Sequence, residues 1–395
     1  MEKKIYLDSA STTYVNAEVL NEMLSVFDTT YGNSSSLHTA GREATSLVDE
    51  ARDKVAQAIN AKPSEIYFTS GGTEANNWAV RGLVYANKKF GNHIITSEIE
   101  HPSVLEAFRR LEKEGFRVSY LPVDKYGFVS LASLLHDISQ DTILVSVMTA
   151  NNEVGTIQHI NAIAKTVKEK GILFHTDAVQ AIGSIRMDVK QLDIDAMTIS
   201  AHKIYGPKGV GALYVRKGVK IQPLLIGGSQ EHNKRAGTVN VPAVVGFGKA
   251  IELVTRDMSA NVKKLKSLRT YFVKRLKQEI EGIHLNGHSV QRLPHITNIS
   301  FNFIEGESIM LMLDLEGIAV STGSACSSGS LEQSHVLVAM GISPELANGA
   351  VRFSLTTRVT KREIDYVVEK LTIIVKRLRA ISPLTKRKRK VKGAK

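Results

Sequence analysis

Cys326 is the only cysteine in a chain of 395 residues, and it stands where a core residue would not. It lies in Ser321-Thr322-Gly323-Ser324-Ala325-Cys326-Ser327-Ser328-Gly329-Ser330, where seven of ten residues are Gly or Ser. A free cysteine is ordinarily a small buried hydrophobe, but nothing apolar flanks this one. What fits the composition is an exposed loop from which a thiolate acts. Near its ordinary pKa of about 8.5 a thiol is only a few per cent ionised at neutral pH, so a neighbouring base or the substrate's own proton chemistry has to raise the reactive fraction.

A second chemical set gathers around Lys203. The segment Ser200-Ala201-His202-Lys203-Ile204-Tyr205-Gly206-Pro207-Lys208-Gly209 follows an apolar run and is dense in turn residues. Lys203 therefore falls at a strand's carboxyl end, where α/β proteins bind ligands and where a lysine kept partly neutral can form a Schiff base. Alone it reads as a solvated loop lysine. A carboxylate at Asp177, in His175-Thr176-Asp177-Ala178-Val179-Gln180, could keep the pyridine nitrogen of pyridoxal phosphate protonated, and Gln180 could reach the ring hydroxyl. Alone, Asp177 reads as a helix cap. Thr69-Ser70-Gly71-Gly72-Thr73-Glu74 adds a glycine pair at a strand-to-helix junction, where free amides favour a phosphate. Ordinary turns use such pairs too. Ser200 and His202 would be further phosphate donors.

These residues need a scaffold that brings strand ends together. From about residue 65 to 215, apolar runs such as Ile66-Tyr67-Phe68, Ile143-Leu144-Val145-Ser146-Val147 and Ala196-Met197-Thr198-Ile199 alternate with helical patterns. Runs without polar alternation are those of strands buried on both faces, which predicts an α/β domain with a mainly parallel sheet. One or two helices are expected over 242–280, with a break near Asp257. Beyond lie a strand at 296–301, a helix at 307–315, a strand at 318–321, a strand at 351–355 and a last helix from 361 to about 378. This pattern predicts a smaller α+β domain.

Composition narrows the class. Hydrophobic residues make up 43% and charged residues 23%, as in ordinary globular enzymes. No stretch approaches the roughly 18 apolar residues of a membrane span, and Met1-Glu2-Lys3-Lys4 leads into no apolar signal core, so no membrane contact and a cytoplasmic address are expected. The net charge of +12 includes seven positive residues in the last twelve positions; without them it is +5. That tail is expected to be disordered and to serve solubility or contact with acidic partners or RNA.

With these motifs in view, the sequence resembles the cysteine desulfurases of the NifS/IscS type, group I. They sit within the class V aminotransferase superfamily of fold-type I pyridoxal 5'-phosphate enzymes. The resemblance runs from Tyr6 to about Leu384. It implies a 1–15 segment associated with the small domain, a cofactor-binding domain over 16–258, a small domain over 259–384 carrying the cysteine loop at 321–330, and a tail at 385–395. It implies that Lys203 is the Schiff-base lysine and that Asp177 and Gln180 contact the ring. His101, in Ser97-Glu98-Ile99-Glu100-His101-Pro102, resembles the histidine that stacks on the ring and moves protons, while also suiting a helix N-cap before Pro102.

The same resemblance places Gly72, Thr73, Ser200 and His202 on the phosphate, with Thr238 of Arg235-Ala236-Gly237-Thr238 supplied by a neighbouring subunit of a homodimer. Asn33, Asn152 and Arg352 resemble the substrate carboxylate site, where a planar guanidinium can give two hydrogen bonds. From the residues alone Arg352 reads as a surface ion-pair residue. Cys326 takes sulfur from L-cysteine as a persulfide; its only metal role would be as a transient iron-sulfur cluster ligand. Acceptors would be an iron-sulfur scaffold or a tRNA-thiolation enzyme. The departures are Asn33-Ser34 for Asn-Pro, Ser11 and Tyr14 in the start motif, His232-Asn233 for Arg-Gly, and Thr356-Thr357 after Leu355. None removes a catalytic group. A selenocysteine lyase or class V aminotransferase could use the same lysine, aspartate and arginine, and a binding protein that has lost the chemistry is a third class; the cysteine loop speaks for the desulfurase.

Overall fold

The structure is a computed structural model that describes residues 4–322 and 333–383. The chain opens with a short strand, β1 (Ile5–Tyr6), and then builds a seven-stranded sheet from β2 (Ile66–Thr69), β3 (His93–Ser97), β4 (Arg117–Leu121), β5 (Thr142–Ser146), β6 (Leu173–Asp177), β7 (Ala196–Ser200) and β8 (Gly211–Val215). Their order across the sheet is β2-β8-β7-β6-β5-β3-β4. Strands β3 to β7 pair in parallel, whereas β8 runs antiparallel to both its neighbours, β7 and β2. Reversing direction twice leaves β2 pointing the same way as β7. The carboxyl ends of β2, β3, β5, β6 and β7 thus share one edge, the edge at which open α/β sheets bind ligands.

Every residue of β3, β5, β7 and β8 is buried, as two-sided strands require. Neither β4 nor β8 was among the apolar runs. Strand β4 is an edge strand with Arg117 exposed, and β8 begins Gly-Ala, too small to stand out. Between the strands run helices such as Gly72–Asn87, whose Trp78 is fully buried and donates Nε1–H to the Gln222 carbonyl at 2.8 Å.

The smaller unit centres on β10 (Ile296–Phe301), which pairs antiparallel with β9 (Ile283–Asn286) on one side and β12 (Ala350–Ser354) on the other. Between these in sequence, β11 (Ile318–Ala319) pairs in parallel with β1, and Asp8 bridges to Ser354. Helices Val241–Arg256 and Met258–Glu279 meet at Asp257. The final helix, Lys361–Ile381, starts with a Thr360/Glu363 capping box, so Thr360 and Glu363 satisfy backbone donors that would otherwise be orphaned. It packs Val367, Val368 and Leu371 with Phe272 and Phe353 in this unit's own core.

Candidate active site

Past the end of β7 the chain turns through one 3-10 turn, Ala201–Lys203. Residues 10–13 lie against that turn: the Thr13 hydroxyl donates to the His202 carbonyl at 2.9 Å and accepts from the Tyr205 amide at 2.9 Å. Lys203 Nζ donates to the carbonyls of Ala10 and Ser11, both at 2.6 Å. Gln180 Nε2 donates to the same Ala10 carbonyl at 2.9 Å. Asp177, last residue of β6 and buried, accepts from Asn76 Nδ2 at 2.7 Å and from the Val179 amide at 2.9 Å. Its carboxylate is therefore oriented from two sides before any ligand arrives.

The glycine pair follows the end of β2 at Thr69, Gly71 capping and Gly72 opening helix Gly72–Asn87. Gly71, with φ of 151°, occupies backbone space that side chains rarely enter. A Cβ on Gly72 would lie 3.1 Å from Val179 Cγ2 and 3.6 Å from Ser200 Cβ, so a side chain there would crowd the space the loop surrounds. Glu74 braces the turn by accepting from the Ser70 amide at 2.7 Å and from Arg235 at 2.8 and 3.0 Å. Burial works to raise the Glu74 pKa, but these bonds prevail and hold it below its ordinary value. The Ser200 hydroxyl is buried without a hydrogen-bond partner among the described residues. An unpaired buried hydroxyl facing the first amides of a helix is what a phosphate oxygen would complete.

His101 caps helix Pro102–Lys113, its Nδ1 accepting from the Ser103 amide at 3.1 Å, so the N-cap reading holds. Its pKa is lowered, first by burial and then by Lys203 and His335, against the pull of Asp177. The ring is therefore neutral at pH 7 and able to accept a proton. His202 is pushed down to about 4, by burial and then by Lys203 and Lys208, and contacts Thr12 Oγ1 at 3.1 Å.

Arg352 corrects the reading made from residues alone. It is 2% exposed, not a surface residue. Its guanidinium donates to the Asn152 carbonyl at 3.0 Å, to Asp8 Oδ1 at 3.0 Å and to Ser11 Oγ at 2.6 Å, and its Nε is buried without a partner among the described residues.

One cavity of about 270 Å³ gathers most of the expected positions. Gly72, Thr73, Ser200 and His202 line it, as do Asp177, Gln180 and Lys203, and as do His101, Asn152 and Arg352. Asn33 and Thr238 do not; both are exposed, and Asn33 turns its side chain onto the Ser35 amide at 2.9 Å. Cys326 lies outside the described residues, as does the tail. Sequence reasoning missed Asn76, Asp8 and the carbonyls of Ala10 and Ser11. Asn76 sits one helical turn after Gly72, so the i, i+4 relation was a usable signal. Asp8 becomes significant only through a contact 344 residues away.

The class-V aminotransferase family matches residues 5–367. This chain belongs to that family. Within it, the cysteine desulfurase IscS of Dictyoglomus turgidum is 52% identical over 383 residues, 97% of each chain. The cysteine desulfurase IscS of Methanosarcina thermophila is 51% identical over 383 residues, 97% of this chain and 95% of that one. Among solved structures, a NifS-like protein superposes with a TM-score of 0.90 at 41% identity, covering 95% of this chain and 100% of its own. The fold and the family therefore agree with the fold-type I expectation, and the family's pyridoxal 5'-phosphate suits this cavity: a Ser200 hydroxyl unpaired among the described residues, a glycine where a side chain would be crowded, and a braced carboxylate at Asp177.

Proposed function

We propose that the protein is a cysteine desulfurase: L-cysteine and the Cys326 thiol become L-alanine and a Cys326 persulfide. The observation that carries this is the convergence of Lys203, Asp177, His101 and Arg352 on one cavity in a chain about half identical, along nearly its whole length, to proteins named cysteine desulfurase IscS.

The residues divide the work. Gly72, Thr73, Ser200 and His202 would hold the cofactor's phosphate, Asp177 its ring nitrogen, Gln180 its ring hydroxyl and Lys203 its aldehyde carbon; bound there, it supplies an electron sink for charge developing at the substrate's carbons. Arg352 and Asn152 receive the substrate carboxylate, and Arg352 can do so because its Nε has no partner among the described residues. Asn33 joins them if its loop turns inward. Lys203 takes the proton from the substrate's Cα, since its amine lies in the same cavity as Asp177 and His101. Neutral His101 accepts the proton of a thiol. The Cys326 thiolate bonds to the substrate's sulfur as the carbon-sulfur bond breaks, and one proton delivered to that carbon and one returned to Cα complete alanine. No external oxidant is needed.

Thr238, exposed and not among the residues lining its own chain's cavity, supports a homodimer in which it serves the partner's phosphate site. The relatives named cysteine desulfurase IscS support release of sulfur from cysteine, and an iron-sulfur scaffold or a tRNA-thiolation enzyme is the acceptor we propose for it. Purified holoprotein given L-cysteine and a thiol reductant should release alanine and sulfide in equal amounts. Mercaptopyruvate in place of alanine and sulfide, or turnover of selenocysteine alone, would replace this reading with a transaminase or a selenocysteine lyase.

A further inference from the structure

Behind Lys203, away from the substrate cavity, the two units leave a second space. A cleft of about 40 Å³ shares Lys203 and Gln180 with the substrate cavity and is otherwise lined by Ser184, His295 and Thr357 among others. It continues outward into a wider cleft of about 120 Å³, with Ile204, Tyr205, Val254, Asn261 and Thr357 common to both and Asn16 and Asp257 farther along. Since one water needs on the order of 10–15 Å³ of such volume and two to four polar partners, the inner cleft takes a short file of waters.

His295 stands in this inner cleft, just ahead of β10. Three cations act on it through space: Arg269 from helix Met258–Glu279, Arg352 from β12 and Lys203 from the turn after β7. Burial first, then these charges, push its pKa down to about 4. Such a ring rests neutral and gives up an extra proton readily, as a carrier must. Arg269 is itself engaged, donating to the Leu293 carbonyl at 2.7 Å.

We propose that this rear cleft is a water-filled proton conduit to Lys203, with His295 as its inner relay. The inference rests on the desulfurase reading for its chemistry, in which Lys203 receives the substrate's Cα proton. While substrate fills the front cavity, that proton leaves from the back. It passes from the Lys203 ammonium through cleft water to a neutral His295 nitrogen; the resulting imidazolium, repelled by its three cationic neighbours, releases it to water leading to Asp257 at the outer mouth. When Cα is protonated again to complete alanine, a proton comes back to Lys203 by the same path, so lysine and ring end as they began and the hydrogen on Cα has exchanged with solvent.

Two measurements test this. A crystal structure of the cofactor-loaded protein should show ordered waters joining the Lys203 side of the cleft to the His295 ring; a dry cleft overturns the conduit whatever the enzyme's activity. Turnover of L-cysteine deuterated at Cα should give wild-type alanine with most label lost to solvent, whereas His295→Leu and His295→Gln should each keep severalfold more label, with KM for cysteine unchanged. Equal label retention in wild type and both variants overturns the relay. If no alanine forms from cysteine at all, the desulfurase reading fails, and the waters in the crystal still decide the conduit.

Discussion

The two halves of the cavity are built differently. The half around Gly72, Asp177, Ser200 and Lys203 comes from successive strand ends of one sheet, so a single rigid element sets every distance in it. The half around Arg352 joins β12 of the smaller unit to Asp8 and Ser11 of the N-terminal segment and to Asn152 after β5, three stretches far apart in sequence. The first half can be organised by the sheet alone. The second exists only when the two units are docked, so on the proposed assignment substrate recognition depends on their relative placement and cofactor binding far less so.

That contrast can be broken by mutation. The largest effect is expected at Lys203: Lys203→Ala should lower cysteine turnover by at least about 10³-fold and leave no borohydride-reducible link between cofactor and protein. A surviving link would move the cofactor's attachment elsewhere. Next comes Arg352→Lys, which loses the fork geometry and should raise KM for cysteine about 10- to 100-fold, the range of one charge-assisted hydrogen bond, while cofactor affinity stays level. Asp8→Asn should do the same more weakly; if either variant lost cofactor as readily as substrate, the two halves would not be separable.

Much of the sheet-borne half was legible in the sequence because its signals are local. Apolar runs mark buried strands, and residues that follow them in chain order line the cavity, so Lys203, Asp177 and the glycine pair could be picked out as a set, although each alone read as a loop lysine, a helix cap or an ordinary turn. The helix break near Asp257 and the strand at Ile296–Phe301 were legible for the same reason. The docked half was not. Nothing near Arg352 in sequence shows that Asp8 will pair with it, and burial decided by a partner 344 residues away leaves no periodic trace. Only the family resemblance placed Arg352 at the substrate.

Smaller effects sharpen the same comparison. On the sheet's edge, Glu100 is fully buried beside His101, accepting from Ser97 Oγ at 2.6 Å and the Met148 amide at 2.9 Å, and burial pushes its pKa up to about 8. The unfolded chain gives up this proton near pH 4.5, while the folded protein keeps it to about 8. Its contribution is thus fully present below the lower value and is lost as pH rises through the upper one, with a slope approaching about 1.4 kcal/mol per pH unit. Unfolding curves for Glu100→Gln between those limits should be flatter than wild type. Smallest is the stretch carrying the family's departure, where buried Glu231 and exposed His232 and Asn233 are all left-handed at φ of 45°, 55° and 62°. Asn233→Gly should stabilise by up to about 1 kcal/mol in denaturant titration without changing cysteine turnover.

The central claim is sulfur transfer to Cys326, and intact-protein mass spectrometry tests it most directly. Holoprotein given L-cysteine without reductant, then digested and mapped, should carry one added sulfur atom on the Cys326 peptide, removable by a thiol, with an equal amount of alanine formed. Cys326→Ser should bind cofactor and cysteine yet gain no sulfur. Wild-type protein that turns cysteine into alanine with Cys326 unmodified throughout, and a Cys326→Ser variant with full turnover, would contradict it.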